Sequence, residues 1–310
     1  MSDSNTTDFT NPSTFILLGI PGLEVAHIWI SIPFCTIYAI AILGNFFILF
    51  IVKWESSLHE PMYYFLCMLA VTDLVLSTAT MPKMLNIFWF NSREIDFSAC
   101  LTQMYFIHCF SAMESGILVA LALDRYVAIC HPLRHSTILT NSVVAKISLA
   151  LVLRSSILAL PYPFLVRRWP YFNVLSHSYC LHEDVMKMAC ADITVNNIYG
   201  LSVAFLTMGL DSLLIFLSYV LILKTVLSIA SSTECLMALT TCVSHLCAVL
   251  LFYIPEIGLA LIHRFRNSSS DFLQILLGYV YMMIPPLINP IVYSVKSKYL
   301  RARIIRAFVK

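Results

Sequence analysis

Seven apolar runs occupy most of this chain, and they leave few choices of solvent. A helix needs about 20 apolar residues to cross a bilayer core. Runs of that order predict helices at about 28–52, 61–84, 97–130, 143–166, 193–224, 235–263 and 272–295. In lipid only helices or closed barrels satisfy every backbone polar group. Barrel strands would alternate over about 10 residues, whereas these runs are continuous. Of the 310 residues, 59% are hydrophobic and 12% charged; soluble domains hold roughly 45–50% and about 25%. The expectation is an all-α membrane protein with seven spans at 28–295, an end at 1–27, and a tail at 296–310 forming a short amphipathic helix. The formal charge of +2 gives no reason to expect a nucleic-acid partner; lipid is the expected surrounding.

Lys and Arg set the orientation. One set of connections holds Lys53, Arg125, Arg134, Lys146, Lys224 and the tail cations Lys296, Lys298, Arg301, Arg303, Arg306 and Lys310. The other holds Lys83, Arg93, Arg167, Arg168, Lys187, Arg264 and Arg266. Eleven against seven makes the first set cytoplasmic and the N-terminus extracellular. The start is polar, so the first helix is expected to act as an uncleaved anchor. Glycosylation is expected at the sequon Asn5-Thr6-Thr7; a second sequon, Asn267-Ser268-Ser269, also falls outside. Cys100, Cys180 and Cys190 lie on the oxidising side, an odd number that leaves one over.

Ionisable residues inside spans are functional candidates. Asp73, Glu114, Asp211 and Glu256 are such residues, and Arg154 lies in the fourth span. Asp73 and Glu114 are expected to share a polar interior with Asn289. Two acids in low dielectric repel, so one reading is a sodium or proton site that shifts a two-state equilibrium. The other is hydrogen-bonded polar packing. No other metal site is expected. The third span ends Asp124-Arg125-Tyr126, a charge pair able to latch that end against a neighbour. The seventh ends Asn289-Pro290-Ile291-Val292-Tyr293, where Pro makes a deformable point. No nucleophile is spaced with a base, and His177, His182 and His263 are not spaced as a metal site on one helix. Neither an enzyme nor a cofactor is expected. A transporter, the distant alternative, would show paired repeats, and none is present.

Together the spans and the two motifs resemble the rhodopsin-like G-protein-coupled receptors. Gly44-Asn45, PMYYFLCMLAVTDL (61–74), MPKML (81–85), SAMES (111–115), DRYVAICHPL (124–133), Ser218-Tyr219, TCVSHLCAVLLFY (241–253) and PPLINPIVYS (285–294) narrow the resemblance to odorant receptors. VLSHSYC (174–180) with His263-Arg264-Phe265 is similar to the class I, or fish-like, branch. The resemblance implies a plasma-membrane receptor that binds a small odorant and activates a heterotrimeric G protein of the stimulatory, cyclic-AMP-raising type. It implies a Cys100–Cys180 disulfide. Cys190 lacks the partner that many members carry before the HSYC motif. Activation and coupling roles fall on Asp124, Arg125, Tyr126, Tyr219, Tyr253, Asn289, Pro290 and Tyr293. Relatives usually carry basic residues where Cys235 and Met237 stand, which lowers the positive charge facing the G protein here.

In acid-binding relatives an Arg at the top of the sixth helix holds the carboxylate, and Arg264 matches it. Its fork donates two parallel hydrogen bonds. Read without the resemblance, Arg264 is an anchor snorkelling to headgroups. His108 and Gly200 match pocket positions. Glu183, Ala260 and Glu256 depart from the pattern, and the two acids add negative charge to a site built for an anion. Glu256 and Arg264 are eight residues apart, about 80° around a helix and roughly 12 Å along it, too far for a close pair. An acid or other polar odorant follows from Arg264 and His108. An amine, or a neutral hydrogen-bonding ligand, follows from Glu183 and Glu256.

Overall fold

The computed structural model describes residues 13–169, 171, 174–189, 192–228, 232–265 and 271–296. Within its helices the side chains of 232, 234, 237, 241, 263–265, 271–272 and 294–296 are outside the description. Asn5, Cys190, Asn267 and the tail beyond 296 therefore lie outside the described residues, as do the side chains of Met237, His263 and Arg264.

Seven helices are long and apolar enough to cross a membrane. They are α1 (His27–Trp54), α2 (Pro61–Phe90), α3 (Phe97–Cys130), α4 (Asn141–Arg167), α5 (Thr194–Leu227), α6 (Ser232–Phe265) and α7 (Asp271–Lys296). Local chemistry sets several of their ends. Pro61 opens α2, where a missing N–H costs nothing. Asn91 closes it at φ 51°, a left-handed conformation that Asn tolerates. The Thr140 side chain accepts the Val143 N–H and caps α4. Helix α4 consists of two segments meeting at Leu160, just before Pro161. Helix α5 widens into a π-helical segment at Phe205–Gly209. Helix α6 continues through Pro255.

Burial orders the helices. In its most apolar window α3 is 72% buried, against 17% for α4 and 22% for α5. Helix α3 is thus the central post, and α4 and α5 present wide apolar faces such as Phe164, Phe205 and Phe216 outward. In a bilayer those faces meet acyl chains rather than water. Gly44 lets α1 approach α7; a Cβ there would sit 3.0 Å from Pro290 Cβ. Beside it Asn45 donates to the Ala41 and Pro286 carbonyls at 2.9 and 3.1 Å. This bond joins the two helices where Pro290 would not tolerate a larger neighbour.

A three-stranded sheet sits at one end of the bundle, an element the sequence reading did not include. Strand β1 (Thr14–Leu17) lies between β2 (Glu94–Asp96), antiparallel to it, and β3 (Val174–Leu175), parallel to it. Phe15 and Leu17 point inward and are fully buried. After the strand, Ile20-Pro21-Gly22-Leu23 forms a turn with Leu23 N–H on the Ile20 carbonyl and Gly22 at φ 81°. Pro followed by a positive-φ Gly is the type II pattern. The turn delivers the chain into α1, whose His27 ring packs on Phe88 of α2.

Candidate functional site

At the sheet end the segment between α4 and α5 folds into a lid. Cys180 is disulfide-bonded to Cys100 at the start of α3. The Gln103 carboxamide, one turn along, accepts Cys180 N–H at 2.9 Å and donates to the Ala79 carbonyl of α2 at 2.7 Å. Ser178 pairs with Tyr279 of α7 at 2.5 Å. His177 contacts Asp184 at 3.0 Å, and Gln274 of α7 donates to Asp184 at 3.0 Å. Gly278 gives the lid room, because a Cβ there would run into the Tyr179 hydroxyl. Covalent and hydrogen bonds therefore tie the lid to α3 on one side and α7 on the other.

Beneath the lid is a cavity of about 580 Å³ among α3, α4, α5, α6 and α7. His108, Glu183, Gly200, Glu256 and Ala260 all line it, so five of the six residues read as ligand-contacting converge. The sixth, Arg264, has its backbone in α6 and its side chain outside the described residues. His108 stacks on Tyr162 at 4.3 Å, and its Nε2 accepts His182 N–H at 3.4 Å. Accepting there makes His108 a neutral imidazole in this arrangement. Burial pushes His182, in the lid, down to about 4, so it too is neutral near pH 7. Gly200 faces the His182 ring, and an added Cβ would sit in ordinary contact at 3.9 Å.

Glu256 has a partner on one oxygen. Tyr281 of α7 donates to its Oε1 at 3.4 Å, and Ser111 of α3 bonds the same tyrosine hydroxyl. Oε2 is buried with no hydrogen-bond partner among the described residues. Tyr281 carries nothing in the sequence that separates it from the chain's other tyrosines, and its place was not expected.

Below the cavity lies a buried polar junction that sequence reasoning also missed. Arg154 of α4 donates to both Asp211 oxygens on α5, at 2.8 and 2.5 Å. Ser115 of α3 meets Asp211 Oδ2 at 2.8 Å, the Thr207 carbonyl at 2.8 Å and the Tyr253 hydroxyl at 2.7 Å. The π segment of α5 turns the Thr207 carbonyl toward α3, as such segments do by breaking helical register. Four helices thus share one junction between the cavity and the rest of the bundle. The available signal was opposite charge in adjacent spans, which seldom stays unpaired.

Deeper still, Asn289 donates to Asp73 at 3.2 and 3.3 Å and to Glu114 at 3.4 Å. Asp73, Glu114 and Asn289 are buried together, the trio the sequence reading placed there. At the far end Arg125 bonds Asp124 at 2.7 Å and also meets the Met62 sulfur of α2. Asp124 also holds His135 at 3.0 Å, past the end of α3. Tyr126 contacts His131 and packs at the edge of a small cluster with Ile222, Val226 and Cys242, where Cys235 also lies. Tyr219 pairs with His245 at 2.7 Å, and His245 reaches the Leu118 carbonyl at 3.0 Å. Tyr293 of α7 is buried in an apolar cluster that draws residues from α1 through α6. Among the described residues no group of three His, Cys, Asp or Glu is placed to hold a metal ion.

This arrangement has relatives. The olfactory receptor family profile matches residues 34–310. The human protein "Olfactory receptor 51G2" is 57% identical over 298 residues, covering 96% of this chain and 95% of that one. Human "Olfactory receptor 51E2" is 54% identical over 303 residues, covering 97% and 94%. Squid rhodopsin shares the fold with a TM-score of 0.74 at 18% identity, over 92% of this chain and 86% of that one. Seven membrane helices around a lidded cavity, with this identity along nearly the whole length, place the chain among receptors rather than enzymes: it belongs to the olfactory receptor family of G-protein-coupled receptors, in the class I branch.

Proposed function

We propose that the chain is an odorant receptor that takes a small polar ligand in the lidded cavity and activates a stimulatory G protein. Its N-terminus and lid face outward from the plasma membrane, as the Lys and Arg distribution implies. The observation that carries the reading is the convergence of His108, Glu183, Gly200, Glu256 and Ala260 on one cavity under a disulfide-tethered lid. Such a cavity lies in the usual size range for small-molecule sites.

Signal passes downward through Tyr253, which sits one turn below Glu256 and bonds the Ser115 junction. Asn289, Pro290 and Tyr293 of α7, Tyr219 of α5 and Asp124-Arg125-Tyr126 of α3 form the switch at the opposite end, where the G protein docks. Asp73, Glu114 and Asn289 form a sodium or proton site that biases the switch. Asn5 carries a glycan, and Arg264 is a further ligand contact from the top of α6.

The test is cyclic AMP in cells supplied with the olfactory G protein. Ligand-dependent accumulation is expected with the parent chain and not with Arg125→Ala at matched surface level. Silence across acid, amine, alcohol and ketone panels, despite verified surface expression, would overturn the reading.

A further inference from the structure

Two acids line the cavity. Glu183 comes from the lid and Glu256 from α6. Lys187 is the one cationic side chain among the described lining residues, and it is engaged by Asp184 at 3.5 Å and Gln274 at 3.3 Å. His108 and His182 are neutral, as argued above. A carboxylate ligand entering this space meets the Glu256 carboxyl group, and Lys187 is already engaged.

Glu256 offers the complementary feature. Its Oε1 takes a long hydrogen bond from Tyr281, while its buried Oε2 takes none among the described residues. A buried acceptor without a donor costs about 1–3 kcal/mol, more when charged. The Ser111 and Tyr281 hydroxyls lie alongside and supply further acceptors. The neighbouring walls are apolar: Ile107, Leu158, Met208 and Leu259. Such a site suits a cationic N–H donor on a short hydrocarbon tail.

Resting on the receptor reading above, we propose that the ligand of this cavity is a small protonated amine whose ammonium group binds Glu256. The ammonium donates to Oε2 and to the Tyr281 and Ser111 hydroxyl oxygens. Its alkyl tail lies against Met208 and Leu259.

The probes are short linear primary alkylamines with alcohols and carboxylates of matched chain length, scored for cyclic AMP and for thermal stabilisation of the purified chain. The amines are expected to act at the lowest concentrations. Glu256→Gln is expected to weaken them by at least about tenfold. The proposal fails if carboxylates are the more potent series, if Glu256→Gln leaves the amine response intact, or if no amine shifts the melting temperature. Cyclic AMP driven by alcohols or carboxylates would keep the receptor reading while removing the amine. Amine-dependent stabilisation lost in Glu256→Gln, without cyclic AMP from any probe, would keep the amine and remove the coupling.

Discussion

Arg154 of α4 and Asp211 of α5 clasp each other through two hydrogen bonds, and Ser115 of α3 joins the same carboxylate. The pair joins the two outer helices by charge, and Ser115 ties it to the central post. Removing one member strands the other inside the membrane. Arg154→Leu or Asp211→Leu alone is expected to cost about 3–5 kcal/mol, and the double Leu variant far less. Surface staining and melting of the purified chain check this; a single variant as stable as the parent would contradict it.

The lid contributes a pH dependence with a definite sign. His182 ordinarily titrates at 6.5, and burial lowers it to about 4 in the folded chain. Between those values the unfolded chain binds a proton that the folded chain does not, so stability falls as pH drops through that window. The loss amounts to roughly 3 kcal/mol at its limit. Above pH 6.5 the group contributes no slope. Melting temperature against pH, compared between the parent and His182→Phe, isolates this share; parallel curves would refute it.

Gly278 is where α7 makes room for the lid. A methyl group there meets the Tyr179 hydroxyl, with the His177 ring 3.7 Å away. Burial raises the Tyr179 phenol well above its ordinary range, so the clash is with a neutral, fully packed group. Gly278→Ala is expected to destabilise by about 1–3 kcal/mol through overpacking. Protease sensitivity of the segment around Tyr171 is the direct reading, and it should rise.

Sodium is expected to stabilise the parent chain through Asp73 and Glu114, whose carboxylates converge on the Asn289 amide. Glu114→Gln removes one ligand and should abolish the sodium-dependent rise in melting temperature. An equal rise in both chains would leave the trio as polar packing only.

The spans were legible because lipid imposes a length and an apolarity that no other environment demands. The Asp73–Glu114–Asn289 group was legible for the same reason: polar residues at that depth must find one another. Arg154 and Asp211 gave half of that signal, and only the helix arrangement reveals that they face each other. Ser115 and Tyr281 gave none, since a serine or tyrosine in a span is common. The sheet escaped because its strands hold four, three and two residues, too few for an alternating pattern to stand out. Their pairing is also non-local. Glu256 was visible as an anomaly, but its open oxygen was not.

The parallel pairing of Ile16 with Val174 has a consequence for biosynthesis. A ribosome delivers β1 before any helix, yet its β3 partner leaves only after four helices have been made. Until then Phe15 and Leu17 have no complete pocket, and β1 can pair with β2 on one edge while its other edge stays open. The strand cap is therefore a late checkpoint of assembly: a chain stalled after its third helix carries an exposed strand edge that a chaperone can recognise.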